Sequence, residues 1–164
     1  MNFYYASSIN GFKPHDINNI NKKIITHLKQ YGLVLNEDLL EEEGNKERTP
    51  EHMNAEVHNQ YMEWLKKCDI VIAEVSIPSL GVGYEIGRAM EDGKPVLCLF
   101  HESDEKLTAM IKGCDALHCT EYKSSEEALQ IIDNFIKRND EDTKKVKSVK
   151  EINSESVQNL ITGK

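Results

Sequence analysis

The chain has 164 residues, 39% of them hydrophobic and 29% charged, with a formal net charge of −8. That length fits one globular domain with a core of its own and room for a tail. The acidic balance argues against broad binding to nucleic acid or anionic membranes, which takes clustered lysine and arginine, and no apolar run reaches the roughly 18 residues of a membrane span.

Asn2–Ser7 (NFYYAS) has the β-propensity of a first strand. Ser8-Ile9-Asn10-Gly11 reads as a turn, and the loop after the first strand of an α/β sheet lies at its ligand-binding carboxyl edge. Ile17, Ile20, Ile24, Leu28 and Tyr31 recur at helical spacing, which predicts a helix from about Asp16 to Tyr31 with Gly32 as its C-terminal cap. Leu33-Val34-Leu35 reads as a short second strand. The polar, acidic stretch Asn36–Pro50 is either a solvated connector or a flap leaving a strand end on the ligand side. Val57, Tyr61, Trp64, Leu65 and Cys68 share one face of a helix expected over Glu51–Cys68.

Asp69–Val75 is apolar except at its ends, as befits a strand buried on both faces in the middle of a parallel sheet. A punctuated turn from Ser76 to Gly83 is expected to enter a helix with Tyr84 and Glu85 in its first turn, and Gly93-Lys94-Pro95 stops that helix. Pro95–Phe100 is a fourth strand, with Cys98 as a core residue. Asp104–Lys112 reads as a short helix capped by Ser103, and Ala116–Cys119 as the last strand. Ser124 and Glu127 form a capping-box pattern at the start of the last helix. After residue 138 large apolar residues become scarce, so residues 139–164 read as a flexible charged tail. The alternation predicts a Rossmann-like or flavodoxin-like three-layer α/β sandwich around a five-stranded parallel sheet.

In that fold the loops after strands one and three, and the segment after strand four, converge at one sheet edge. They supply Ser8, Asn10 and Gly11, then Ser79, Gly81, Gly83 and Glu85, then residues near Thr108. Hydroxyls and backbone N–H groups suit a phosphate or a sugar, and Tyr4 would border a base or ribose. A phosphate cradle gains nothing from the Glu85 carboxylate, which has three readings. It offsets the helix dipole; it is a general base, which needs a pKa raised against that dipole; or it is a nucleophile at a sugar anomeric carbon, a role in which it stays ionised with the dipole's help. The third fits the local electrostatics best. The glycines lack the G-x-G-x-x-G spacing and no Gly-Lys-Ser/Thr follows them, which argues against the two common nucleotide-binding loops. The four cysteines form no C-x-x-C pair and the six histidines no H-x-x-x-H pattern, so reduced thiols are expected, with no metal site. No signal-peptide pattern is visible at Met1, which reads as a protein of the cytoplasm or nucleus.

The run Pro78-Ser79-Leu80-Gly81-Val82-Gly83-Tyr84-Glu85-Ile86-Gly87-Arg88-Ala89 resembles the signature of the 2'-deoxynucleoside 5'-monophosphate N-glycosidases, in the nucleoside 2-deoxyribosyltransferase-like superfamily. The resemblance extends over roughly residues 2–137 and includes Trp64-Leu65, Gly93-Lys94-Pro95 and Ala109–Gly113. It implies a homodimeric, cofactor-free hydrolase that splits a deoxynucleotide into free base and 2-deoxyribose 5-phosphate. Glu85 then matches the nucleophile that forms a glycosyl-enzyme, and Tyr4 lies by the reacting sugar. Ser8, Ser79 and Gly81 match phosphate contacts, and Thr108 keeps the hydroxyl that completes the partner subunit's pocket. Three positions depart from the pattern: Tyr61 stands at a catalytic aspartate, Asn10 at a phosphate-binding arginine, and Asp38 near a histidine. A phenol at Tyr61 retains the capacity to hydrogen-bond Glu85 or the sugar. The alternatives are 2-deoxyribosyl transfer between bases, from the same glycosyl-enzyme, and nucleotide binding without turnover.

Overall fold

A computed structural model describes residues 1–8, 17–37, 53–102, 107–141 and 144. Ile9, Asn10, Gly11, Asp38 and Ser103 lie outside the described residues. The chain forms β1 (Asn2–Ser7), α1 (Ile17–Leu28), β2 (Leu33–Val34), α2 (Asn54–Lys67), β3 (Ile70–Glu74), α3 (Leu80–Glu91), β4 (Val96–His101), α4 (Ala109–Lys112) and β5 (His118–Tyr122). A last helix, α5, covers residues 125–141 and so continues past the expected boundary at 138. Two compact units emerge, Met1–Gln130 and Ile131–Lys164; the first holds the sheet and the candidate site.

The five strands are all parallel in the order β2-β1-β3-β4-β5. This is the flavodoxin-like order, and its crevice lies where the order reverses, between β1 and β3. All five residues of β3 are buried, as a strand flanked on both sides and covered on both faces must be. Alternation divides the sheet's side chains. Tyr4, Ala6, Val71, Ala73, Val96 and Cys98 join Leu65 of α2 and Val82, Ile86 and Ala89 of α3 in one core cluster. Tyr5, Ile72 and Glu74 point the other way, and α1 packs on β1 and β2.

Several expected boundaries move. Strand β5 occupies His118–Tyr122 rather than Ala116–Cys119, because its backbone pairs with β4 from Leu97↔His118 to His101↔Tyr122. Leu107 and Thr108 are not helical, and α4 starts only at Ala109. Gly32 does not take a left-handed cap conformation, since Gly93 is the glycine with positive φ among the described residues. Gly32 serves by close approach instead: a Cβ there would run into the Met1 carbonyl beside it. The capping box at α5 forms one residue out of its usual register. Glu127 N–H donates to Ser124 Oγ at 3.2 Å, while Lys123 N–H donates to Glu127 Oε2 at 2.8 Å.

Strand β2 is too short to pair fully with β1. Asn36 extends the ladder with its side chain: Tyr5 N–H donates to Asn36 Oδ1 at 3.1 Å and Asn36 Nδ2 donates to the Tyr5 carbonyl at 2.8 Å. At 3% exposure, Asn36 thus satisfies two buried backbone groups at once. Asn36→Ala should cost about 1–3 kcal/mol by leaving them unpaired, and Ile72→Ala about 2–5 kcal/mol by opening a cavity in the central strand. Urea denaturation of both variants checks these values; an Asn36→Ala midpoint equal to that of the parent protein would contradict the first.

Candidate active site

The segment between β3 and α3 departs from expectation in one respect that changes the chemistry. Helix α3 begins at Leu80, with Ser79 as its N-cap, and so contains Gly81 and Gly83. Ser79 Oγ accepts from Val82 N–H at 3.4 Å and the Ser79 carbonyl accepts from Gly83 N–H at 3.0 Å. The N-cap bond and the burial of Val82, Ile86 and Ala89 outweigh a glycine cost of about 1 kcal/mol at each position. Glu85 therefore lies in the second turn, not the first. The dipole's effect falls off within the first turn, and it no longer governs this carboxylate.

Desolvation governs it instead. Burial raises the Glu85 pKa to about 7, and among the described residues the Tyr4 phenol opposes that rise. The expectation of a carboxylate kept fully ionised at the helix start is thus corrected. Tyr4 is 0% exposed, and its hydroxyl has no partner at regular hydrogen-bond geometry. Its pKa is raised, first by burial and then by the Glu85 charge. Tyr61 meets the ring of Tyr4 edge-on, with centroids 6.4 Å apart, and lies against Trp64 at 5.7 Å. The site around Glu85 is consequently aromatic on its sheet and α2 sides.

Gly81 closes the other side. A Cβ at Gly81 would sit 3.8 Å from Ser79 Oγ and 4.0 Å from Glu85 Oε1. The bare glycine thus marks a point that the phosphate-suited hydroxyl and the carboxylate both border. Ser8 is buried at the carboxyl end of β1, on the face that alternation shares with Tyr4. The structure accordingly brings together Tyr4, Tyr61, Ser79, Gly81 and Glu85, with Ser8 on the same face.

Gly83 and Thr108 sit elsewhere. They line a groove of about 360 Å³ on the far side of the α3 start, with Ser79 at the shared rim and with Ile77, Phe100 and Ile111 among its apolar walls. Thr108 is the α4 N-cap, yet its hydroxyl makes no capping bond. Leu80 is 97% exposed at this groove and Met110 on α4 is 82% exposed. A Cβ at Gly83 would meet nothing within 4 Å, so unlike Gly81 this glycine borders neither Ser79 Oγ nor Glu85.

The sequence pattern alone did not single out His58. Its Nε2 lies 3.0 Å from the Tyr84 hydroxyl and bridges α2 to α3. His58 stands one helical turn before Tyr61 and Tyr84 immediately precedes Glu85, a spacing that is the available signal.

Residues 3–148 match the nucleoside 2-deoxyribosyltransferase family. The chain belongs to that family. It is 37% identical over 130 residues to the 5-hydroxymethyl-dUMP N-hydrolase of Danio rerio, spanning 77% of this chain and 90% of that protein. It is 38% identical over 145 residues to the protein of the same name from Esox lucius, spanning 84% and 97%. The fold is that of the CMP N-glycosidase of Clostridium botulinum, with a TM-score of 0.57 at 20% identity over 81% of this chain and 99% of that one. Membership in this family agrees with the resemblance carried by Pro78–Ala89.

The raised Glu85 pKa has a thermodynamic signature. A folded-state pKa above the ordinary 4.5 means that the folded protein holds this proton more tightly than the unfolded chain. The resulting stabilisation is complete below about pH 4.5 and is lost as pH rises through about 7. Glu85→Gln removes this dependence. Relative to the parent protein it should gain about 1–3 kcal/mol of stability between about pH 4 and about pH 8. Urea melts across that range test this; parallel stability curves for the two proteins would refute it.

Proposed function

We propose that the protein hydrolyses the N-glycosidic bond of 2'-deoxynucleoside 5'-monophosphates, with Glu85 as nucleophile. The observation that carries the reading is the convergence of one buried carboxylate, the Tyr4 phenol and the Ser79–Gly81 helix start at a single point. In the first step a Glu85 oxygen bonds to the anomeric carbon while the carbon–nitrogen bond breaks, and the base leaves with the bonding pair and takes up a proton. Water then attacks the same carbon, restores the carboxylate and returns the proton to solvent. Ser79, Ser8 and the N–H groups at the start of α3 would take the phosphate. Asn10 carries no charge where the family pattern has an arginine, so the phosphate would contribute less binding here. The 5-hydroxymethyl-dUMP named for the relatives is the first substrate to try.

The pKa of about 7 favours a second reading, in which Glu85 acts as general base on water and no adduct forms. Rapid quenching and intact-mass measurement separate the two: the first requires a transient adduct of one deoxyribose phosphate on Glu85. If a second base intercepts that adduct, the product is a new nucleotide and the activity is transfer.

The groove beside Leu80 is read as the homodimer contact through which Thr108 completes the phosphate pocket of a partner subunit. Exposed Leu80 and Met110, and a Thr108 hydroxyl that makes no capping bond, support this. Leu80→Glu should convert a dimer to a monomer in sedimentation, and Thr108→Ala should raise KM about 10-fold with kcat retained.

Chromatography of free base released from deoxynucleoside monophosphates tests the activity itself. Glu85→Ala should lower kcat by roughly 10³-fold; equal release by the two proteins would remove Glu85 from the chemistry. With the carboxylate as nucleophile, kcat/KM should rise with pH through about 7. Tyr4→Phe removes the phenol hydroxyl whose approach lowers the Glu85 pKa, so that rise should move to higher pH.

A further inference from the structure

Glu74 is the last residue of β3 and is 1% exposed. Alternation points it to the face opposite Ala73, and therefore away from Glu85. Among the described residues no lysine or arginine forms a salt bridge with it. Its Oε1 instead collects three donors: the Ser76 hydroxyl, the Ser76 backbone N–H at 3.3 Å and the Tyr122 hydroxyl at 3.1 Å. Ser76 Oγ in turn accepts from the His101 backbone N–H at 2.7 Å, and the His101 and Tyr122 rings meet edge-on at 5.3 Å. The carboxyl ends of β3, β4 and β5 are thereby tied to the first turn residue after β3.

A valine or isoleucine at this place would continue the strand and bury more apolar surface. A carboxylate without a cation is costly in an interior, and burial indeed pushes the Glu74 carboxyl up against the pull of its hydrogen bonds. What it does, and an aliphatic side chain does not, is hold both donors of Ser76. That fixes where the chain leaves the sheet. Three residues on, the same chain supplies Ser79, the N-cap of α3.

We propose that Glu74 is a positioning residue for the candidate active site: through Ser76 it sets the path of the turn that presents Ser79 and the start of α3 to the substrate phosphate. This rests on the reading that the turn meets phosphate. Glu74 touches neither substrate nor Glu85 in this scheme; it acts through Ser76.

The test compares Glu74→Leu and Glu74→Gln with the parent protein in two measurements. Amide hydrogen exchange followed by NMR reads the turn directly and needs no turnover. Exchange at Ser76 and His101 should quicken about 10-fold in Glu74→Leu and less in Glu74→Gln, with Ile72 and Leu97 in the sheet unchanged. Kinetics reads the consequence. KM for a deoxynucleoside monophosphate should rise about 10-fold with kcat held, while kcat/KM for the same nucleoside without phosphate stays within about 2-fold. A merely structural role would reduce both substrates alike. Unchanged exchange at Ser76 and His101, or equal losses on nucleotide and nucleoside, would overturn the proposal. Should Glu74→Leu not fold, Glu74→Gln decides by the same criteria. If the parent protein releases no base, the glycosidase reading fails by itself. Calorimetric Kd values for dUMP and deoxyuridine then replace the kinetics, and if neither binds, the exchange result alone decides whether Glu74 holds the turn.

Discussion

The pairing of β3 with both β1 and β4 is the constraint on which the rest of the molecule depends. Register sets Tyr4 beside Val71 and Ser7 beside Glu74, so the strand that launches α3 also fixes the phenol that faces Glu85. Because β3 is paired on both edges and buried on both faces, it has no freedom to shift by one residue without exchanging its two faces. The apolar core and the Glu85 site occupy one face, and the Glu74 network occupies the other. One strand therefore holds two carboxylate environments apart while delivering both to the same sheet edge.

Those two environments show burial winning over local fields. Glu85 sits on a helix whose N-terminus would favour its charge, but it is one turn too far in for that field to matter. With no cation among the described residues acting on it, desolvation sets its pKa near neutrality. A carboxylate with its pKa raised toward 7 is a stronger base when ionised than one at the ordinary value. One held by the dipole at an ordinary value would be always charged but less nucleophilic. In the proposed chemistry the arrangement trades occupancy of the reactive form for reactivity, which would suit a bond whose cleavage develops positive charge on the sugar.

How much of this was legible in the chain depends on the range of the interactions involved. The five-stranded parallel sheet, its buried central strand and the N-terminal stretch of α5 are legible in the local pattern, whereas the strand order is not. The edge strand β5 was displaced because its alternating sequence, HCTEY, is only half buried and looks less like a strand than the apolar residues before it. The start of α3 was hidden by Gly81 and Gly83, which read as turn residues until the Ser79 cap and three buried side chains are in view. Glu74 looked like the polar end of a strand. Its burial depends on Tyr122, 48 residues away, and no local window contains that partner. The Glu85 pKa was misjudged for the same reason, since neither the burying walls nor Tyr4 is near it in sequence.

Under the proposed function, and with Tyr61 matched to a family aspartate as the resemblance implies, Tyr61 bears on how a site with a single carboxylate would act. Two carboxylates close together cannot both ionise easily, and the like charge raises one pKa further. A phenol at that place adds no negative charge at neutral pH and leaves Glu85 raised by burial alone. On that reading, a tyrosine in place of the aspartate would remove an acid while leaving the remaining carboxylate easier to ionise. A general acid is the group a glycosidase most needs when its leaving group is a poor one. Bases bearing electron-withdrawing substituents leave more readily as anions and depend on it less. The Tyr4–Tyr61 wall therefore biases the proposed chemistry toward activated bases, and it does so through electrostatics instead of through shape.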